Sequence, residues 1–269
     1  MILIIPISYR FFLKSFCYGE INQAGKGGKK IAWTGYKDRN PSMKTTEKHS
    51  IFFHISFTIL CIIVLLLPIP ATTGWRMFFL VLAYNVSLPI VAQVWDHDRW
   101  MDIFLFVLPV SILQVIPDWF LSKVLGVLVF PQDGFYKFGT VSAYMAGLWT
   151  VPLFIIVYVS TRFEKRYPEA NPISKYLLAG GSAFVIFFLS EEFMRMIPVW
   201  YAQNVSMIGH TAIYVLFPEF VLGIFATFAY FHTEHKPFRT KLLWAIPTMS
   251  IYLGALSFSY LFVEGVWKV

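Results

Sequence analysis

Residues 209–231, GHTAIYVLFPEFVLGIFATFAYF, decide how this chain folds. The stretch is almost entirely apolar and is long enough to cross a bilayer as one helix, which needs about 20 residues. Glu219 lies near its centre, directly after Pro218. A carboxylate at that depth costs at least about 2.5 kcal/mol to insert, so such residues usually face a protein interior and serve a function. The stretch therefore predicts a membrane helix that carries a functional acid.

The composition indicates that lipid is the solvent of the whole chain. Of its 269 residues, 57% are hydrophobic and only 14% are charged, with a mean hydropathy of +0.62. A soluble domain is about 45–50% apolar and about 25% charged. We therefore predict an all-α fold, a polytopic membrane helical bundle of about seven transmembrane helices. The predicted spans are residues 50–69, 73–94, 101–117, 139–160, 173–196, 209–231 and 242–263.

The third predicted span is short, and an apolar segment follows it. Residues 120–130 are too few to cross a bilayer, so we expect a re-entrant or interfacial helix there. We find no convincing internal repeat in the sequence. This argues against a transporter that is built from inverted halves.

The net charge of +7 belongs mainly to the first part of the chain. Residues 1–42 hold seven Lys or Arg and two acidic residues, whereas the remainder holds 15 and 13. This distribution argues against a nucleic-acid-binding surface. We expect residues 1–42 to be a disordered basic leader, or to result from a start codon set upstream of Met43. A basic tail that contacts anionic lipid is the alternative. Residues 43–269 then form a single transmembrane domain.

The distribution of basic residues predicts the orientation in the membrane. Ten Lys or Arg of the membrane domain fall on the same side as the N-terminus and five fall on the other, which predicts that the N-terminus is inside. Because the loops are compact, we expect a bacterial inner membrane. The two cysteines, Cys17 and Cys61, give no disulfide framework.

Nine side chains that can hydrogen-bond lie inside the predicted spans or at their outer ends, and most should converge on the outer half of the bundle. Residues four apart share a helix face, which pairs Gln114 with Asp118. The candidate catalytic residues are Glu219, Glu191, Glu192 and Asp118. The candidate substrate-binding residues are Asn85, Gln114, Arg195, His210 and Tyr214, of which His210 and Tyr214 are expected to begin the sixth helix.

Each of these residues also has a structural interpretation. Glu191 and Arg195 are four apart and can form an ion pair at the interface. Asp118 can cap a turn, and Asn85 can form an interhelical hydrogen bond worth about 0.6–2 kcal/mol. His210 can be an ordinary interfacial histidine. For Glu219 the functional interpretation is preferred, because desolvation is hardest to offset at mid-depth.

Two loops on the inner side combine histidines and carboxylates. Asp96, His97 and Asp98 lie between two tryptophans, and His232, Glu234 and His235 form a similar group. We predict a solvated loop at the first group, since a His/carboxylate metal site would require the two loops to meet. We assign no metal and no cofactor to the chain.

Residues 125–153, LGVLVFPQDGFYKFGTVSAYMAGLWTVPL, resemble part of the membrane-bound carotenoid-modifying proteins. In carotenoid hydratases, a GV…PFG.Y segment leads into a span with a Pro-Leu and tryptophan pattern, and the heterodimer-type lycopene cyclases are similar more distantly. The chain departs from the Pro-Leu-Glu-Glu setting of the cyclases, because Glu191 and Glu192 follow Ser190. The resemblance implies a reaction class, hydration or cyclisation of an isoprenoid, and no residue roles.

Such a reaction begins with protonation of a carbon–carbon double bond by a buried carboxylic acid. We therefore expect an integral membrane enzyme, a lyase or isomerase without a redox cofactor, whose partners are the lipid bilayer and a lipid-soluble small-molecule substrate. Glu219 is the expected acid, and Glu191, Glu192 or Asp118 would tune it or position water. The alternatives are a small-molecule or proton-coupled transporter, with Glu219 as the coupling site, and a non-catalytic membrane subunit.

Overall fold

The structure is a computed structural model, and it describes residues 45–194, 196–197 and 199–267. Within these residues, seven helical segments are long and apolar enough to cross a membrane. This confirms the predicted all-α membrane bundle. The predicted leader, residues 1–42, and Arg195 lie outside the described residues.

Nine α-helices and six two-residue strands make up the described chain. The helices are α1 (Thr45–Leu66), α2 (Thr73–Val94), α3 (Asp98–Leu113), α4 (Val115–Trp119), α5 (Met145–Leu148), α6 (Thr150–Arg166), α7 (Ser174–Met194), α8 (Ile213–Thr233) and α9 (Phe238–Tyr260). The strands are β1 (Leu128–Val129), β2 (Lys137–Phe138), β3 (Val141–Ser142), β4 (Tyr201–Ala202), β5 (Met207–Ile208) and β6 (Thr211–Ala212). Two π-helical turns, Phe120–Val124 and Leu261–Val266, follow α4 and α9. The chain divides into two units between residues 63 and 64, inside α1, and the strands and helices α2 to α9 lie in the second unit.

The third span is longer than predicted. It runs over Asp98–Val124, because α3, α4 and the first π-helical turn follow one another without a loop. The helix then ends at Gly126, whose φ of 67° is the left-handed conformation that commonly terminates helices. The re-entrant or interfacial helix predicted for residues 120–130 is therefore wrong.

Two β-hairpins replace the predicted starts of the fourth and sixth spans. Gly139 and Gly209 have φ of 61° and 63° and occupy the first position of two-residue turns, a position that favours glycine. The spans that follow begin at Met145 and Ile213. The expectation that His210 begins a helix together with Tyr214 is therefore wrong, since His210 belongs to the hairpin turn.

The two hairpins belong to an internal repeat that the sequence analysis did not find. The first copy runs through α3, β1, the β2–β3 hairpin and α6, and the second runs through α7, β4, the β5–β6 hairpin and α8. The registers correspond, since Lys137 pairs with Ser142 in one hairpin and Met207 pairs with Ala212 in the other. Equivalent hairpin residues are 70 positions apart.

Strands β1 and β4 join the two copies. They pair antiparallel, with Leu128 opposite Ala202 and Val129 opposite Tyr201. These strands are themselves equivalent, 73 positions apart, so the pairing relates the copies by a local two-fold axis. In both copies the first helix runs toward the hairpins and the second runs away from them. The repeat is therefore parallel, unlike the inverted halves considered from the sequence.

The helices pack in a defined pattern around this repeat. Helix α6 contacts α3, α7 and α8, and α9 packs on both α3 and α8. Small residues bring α7 and α8 close together: a Cβ on Gly223 would lie 2.5 Å from the Cβ of Ala183. Close backbone approach of this kind stabilises helix pairs in lipid, where the hydrophobic effect between helices is absent.

Candidate site between the two repeats

Three pairs of equivalent positions surround the candidate site. The offset of 73 residues that relates β1 to β4 also relates the helices that precede them, where it aligns two identical phenylalanines, Phe120 and Phe193. The offset of 70 residues relates the segments after the hairpins. The equivalent pairs are Gln114 with Phe187, Asp118 with Glu191, and Trp149 with Glu219. Each copy thus contributes one set of three side chains.

Trp149 connects the first copy to the rest of the site. Its indole Nε1 donates a hydrogen bond to Asp118 Oδ2 at 3.2 Å. The same ring packs against Phe187 of α7 and Tyr252 of α9, with ring centroids 5.1 and 5.7 Å apart. Asp118 therefore lies at the point where α4, α6, α7 and α9 approach one another.

Glu219 occupies the position in the second copy that Trp149 has in the first. It is 4% exposed, and α8 carries it next to Pro218, as the sequence predicted. Its carboxyl group is close enough to Glu191 for the two to interact through their charges. Within the described part of the chain, its Oε2 atom has no hydrogen-bond partner. A buried polar atom of this kind is costly unless a ligand or water completes it.

Glu191 lies between the other two acids. Its Oε1 accepts a hydrogen bond from Trp200 Nε1 at 2.8 Å. Asp118 and Glu219 both lie within electrostatic range of it. Three of the four acids chosen from the sequence are therefore brought together by the fold, one from α4, one from α7 and one from α8.

Tyrosines complete the surroundings of the acids. Tyr214, a predicted site residue, is 1% exposed and lies close enough to Glu191 and Glu219 for an electrostatic interaction. Its ring packs edge-on against the ring of Tyr260, and the two ring centroids are 5.4 Å apart. Tyr252 of α9 is 3% exposed and lies close enough to all three acids for an electrostatic interaction. Sequence analysis missed Tyr252, because a tyrosine in an apolar helix is common. It missed Trp149 as well, and only the repeat would have marked that position.

Glu192 and His210 lie at the second hairpin and not with the three acids. Glu192 Oε1 accepts hydrogen bonds from the backbone N–H of His210 at 2.7 Å and from Thr211 Oγ1 at 2.9 Å. A Cβ on Gly209 would lie only 2.6 Å from the same oxygen. The geometry thus gives Glu192 a structural role in holding the hairpin, and His210 is exposed at its turn.

Asn85 links α2 to α5. Its Nδ2 donates hydrogen bonds to the carbonyl oxygens of Val81 at 2.8 Å and Gly147 at 3.0 Å. A Cβ on Gly147 would lie 2.7 Å from a methyl group of Val81, so the close approach requires glycine. The structural interpretation of Asn85 accounts for these contacts. The predicted Glu191–Arg195 pair stays a prediction, since Arg195 is outside the described residues.

At the opposite end of the bundle, the second loop with histidines and carboxylates contacts the start of α3, just after the first loop, and two ion pairs lie in this region. Arg99 pairs with Glu234, and Lys241 pairs with Asp102 at 2.8 Å. Lys241 is 1% exposed and also donates to the carbonyl oxygen of Thr233 at 2.9 Å. Within residues 45–267, apart from the two undescribed positions, no group of three His, Cys, Asp or Glu could hold a metal ion.

Comparison with known proteins gives one match. No curated protein and no solved structure matches the chain. The family described as Domain of unknown function (DUF6989) matches residues 115–263, which is more than half of the chain. The matched region begins at α4 and contains both hairpins, the three acids and Tyr252. The chain therefore belongs to the DUF6989 family.

Proposed function

We propose that this protein is an integral membrane enzyme that protonates a carbon–carbon double bond of a lipid-soluble, isoprenoid-like substrate. Glu219 is the proton donor. The observation that supports this proposal best is the buried carboxyl group of Glu219, whose Oε2 atom has no partner among the described residues. Such an atom is available to a bound substrate, whereas the oxygens of Asp118 and Glu191 that accept indole hydrogen bonds are already engaged.

The chemistry requires no redox cofactor. The Glu219 carboxyl group transfers its proton to one alkene carbon, the electrons of the double bond form the new carbon–hydrogen bond, and the other carbon becomes a carbocation. In a hydration, water adds to this cation through oxygen and then returns one proton to the carboxylate. In a cyclisation, a second double bond attacks the cation, and the ring product loses one proton to a site carboxylate.

The surroundings of Glu219 suit a positively charged intermediate. The rings of Trp149, Phe187 and Tyr252 form a connected aromatic cluster beside the acids. Aromatic faces attract cations, with a gain of about 2 kcal/mol or more when water is excluded. Asp118 and Glu191, each held by an indole N–H, place oriented carboxyl dipoles near the same point.

The resemblance of residues 125–153 to carotenoid-modifying proteins supports a polyene substrate. This segment forms β1, the first hairpin and the start of α6. It includes Trp149, which contacts the site directly. We therefore include carotenoid-like isoprenoids in the proposed substrate class.

Mass spectrometry of lipid and pigment extracts tests the proposal. Polyene-producing cells that express the full chain are compared with cells that express the Glu219→Gln variant at equal levels. We expect a new species with the wild type alone, heavier by one water for hydration or of unchanged mass and different retention for cyclisation. The same new species with both proteins would overturn the assignment of Glu219, and identical extracts without it would overturn the enzyme.

The parallel repeat favours a second candidate, a proton-coupled carrier. Several transporter folds are built from parallel repeats and bind substrate at the interface between them. Here that interface holds Asp118, Glu191 and Glu219. A carrier predicts solute flux driven by a pH gradient in proteoliposomes, lost in Glu219→Gln, with no new chemical species in the extracts.

A further inference from the structure

Gln114 is a buried amide that the fold itself does not explain. Its side chain is 0% exposed, and within the described residues neither Oε1 nor Nε2 has a hydrogen-bond partner. An amide can donate two hydrogen bonds and accept two. An amide buried in an apolar interior without these hydrogen bonds costs several kcal/mol of stability. A leucine, which is of similar size, has no polar atoms and so carries no such cost.

Helix geometry places Gln114 next to the acids. The backbone N–H of Asp118 donates to the carbonyl oxygen of Gln114 at 3.2 Å, so the helical path continues across the junction of α3 and α4. The two side chains are four residues apart and therefore share one face. Gln114 lies about 6 Å further from the hairpins than Asp118, at a rise of about 1.5 Å per residue.

The local two-fold axis indicates what Gln114 faces. Its equivalent in the second copy, Phe187, contacts Trp149 of the first copy. Applying the axis to that contact exchanges the copies and places Gln114 opposite Glu219. The correspondence is not exact, because α9 packs on both α3 and α8. Gln114 thus shares a helix face with Asp118, and Asp118, Glu191 and Glu219 all lie near Tyr252 of α9.

From this geometry we propose that the substrate carries a hydroxyl group, which the Gln114 amide binds while Glu219 addresses a carbon–carbon double bond. A hydroxyl both donates and accepts, so it satisfies Oε1 and Nε2 together, whereas a carbonyl oxygen would leave Oε1 without a donor. The substrate class is thereby narrowed from isoprenoid hydrocarbons to isoprenoid alcohols. The isoprenoid chain rests on the proposed function, but the hydroxyl preference rests on Gln114 alone.

Equilibrium binding tests this without turnover. The probes are radiolabelled farnesol and its deoxy analogue, in which hydrogen replaces the hydroxyl, each bound to the purified full chain in detergent. We expect wild-type protein to bind farnesol about three- to tenfold more tightly, the range of one or two hydrogen bonds in this environment. Gln114→Leu should abolish this preference and leave the affinity for the deoxy analogue within about twofold.

An exposed glutamine provides the matched control. Gln93→Leu makes the same substitution on the surface of α2, so it should keep the preference for farnesol. If Gln114→Leu fails to fold, Gln114→Met offers an apolar side chain of nearly the same shape. Equal affinity for the two probes, absence of farnesol binding, or a preference that survives both Gln114 variants would overturn the inference.

The binding measurement and the mass spectrometry of extracts test the two proposals separately. A hydroxyl preference that depends on Gln114, combined with extracts that do not depend on Glu219, would retain the alcohol site and reject the proton donor. The opposite combination would retain the enzyme and reject the alcohol.

Discussion

The two copies of the repeat share an order of elements and differ at the position seven residues after the hairpin. In the first copy, Trp149 donates a hydrogen bond to Asp118. In the second copy, Glu219 takes the place of the tryptophan beside Glu191. Asp118 therefore receives a hydrogen bond from the residue at this position, whereas Glu191 has a second carboxyl group near it. The two copies thus share a scaffold, and this single difference places the proposed proton donor in the second copy.

The hairpins show the same contrast between a shared form and different contacts. Asp133 holds the first hairpin, since it accepts hydrogen bonds from Tyr144 Oη at 2.7 Å and Ser142 Oγ at 3.3 Å. Burial raises the pKa of Tyr144, which therefore stays a hydrogen-bond donor. Glu192 of α7 holds the second hairpin. In each copy a carboxylate holds the hairpin that precedes Trp149 or Glu219.

The largest expected effect is on product formation, when the carboxyl group that distinguishes the second copy at residue 219 is removed. Glu219→Gln keeps the shape of the side chain and removes the transferable proton, so we expect product formation to fall by about 10²- to 10⁴-fold, the usual contribution of a general acid. Asp118→Asn is the comparison, and its loss should be smaller because that oxygen is already bonded to an indole. Product formation in extracts or in purified form measures both. Equal losses would mean that the two acids act as one group.

The turn glycines give the next largest effect. Gly139→Ala and Gly209→Ala both force alanine into the left-handed region, which costs about 1–2 kcal/mol. At Gly209 the new methyl would also displace Glu192, whereas at Gly139 the nearest atoms belong to Trp119 at 3.5 Å, an ordinary contact. We expect a loss of about 3 kcal/mol in the free energy of unfolding for Gly209→Ala. Reversible unfolding in detergent micelles measures it, and equal losses for the two variants would contradict a structural role for Glu192.

Removing an indole donor should have a smaller effect. Trp149→Phe leaves buried Asp118 without its N–H partner and should lower the free energy of unfolding by about 2 kcal/mol. Trp200→Phe removes the donor to Glu191, which is only half-buried, so a loss near 1 kcal/mol is expected. The same unfolding measurement ranks the two variants. The reverse order would mean that Glu191, and not Asp118, depends more on its indole.

The smallest effects concern the first hairpin. Tyr144→Phe removes the shorter hydrogen bond to Asp133 and should lower the free energy of unfolding by about 1 kcal/mol. Ser142→Ala removes the longer one and should have about half that effect. If Ser142→Ala were the more damaging, the Tyr144 hydroxyl would not be the main support of Asp133.

Much of the fold was predictable, because hydropathy over about 20 residues is a strong property of each span. The hairpins were not, since their two-residue strands are too short to produce an alternating pattern. The repeat was hidden because most equivalent positions in the helices hold different apolar residues, and lipid accepts one apolar residue as well as another. A few equivalent positions hold the same residue, such as Gly139 and Gly209 in the turns and Phe120 and Phe193 in the helices.

The site was predictable in part for a related reason. Carboxylates in an apolar sequence are rare, so Asp118, Glu191 and Glu219 could be selected from the sequence, and helical spacing placed Gln114 with Asp118. Aromatic residues make up 19% of the chain, so Trp149 and Tyr252 carried no distinguishing property in the sequence. Glu192 was chosen for its neighbour Glu191, although adjacent residues on a helix point in different directions.

The antiparallel pairing of β1 with β4 also has a consequence for how the chain arose. Two equivalent strands that pair about a two-fold axis form the kind of contact that joins identical subunits in a dimer. An ancestor with one copy per chain would assemble in this way, and each mutation would then appear twice. Two copies of Glu219 would double the cost of inserting a carboxylate in the membrane. A chain that holds both copies, as here, carries the acid once, and the equivalent position holds Trp149.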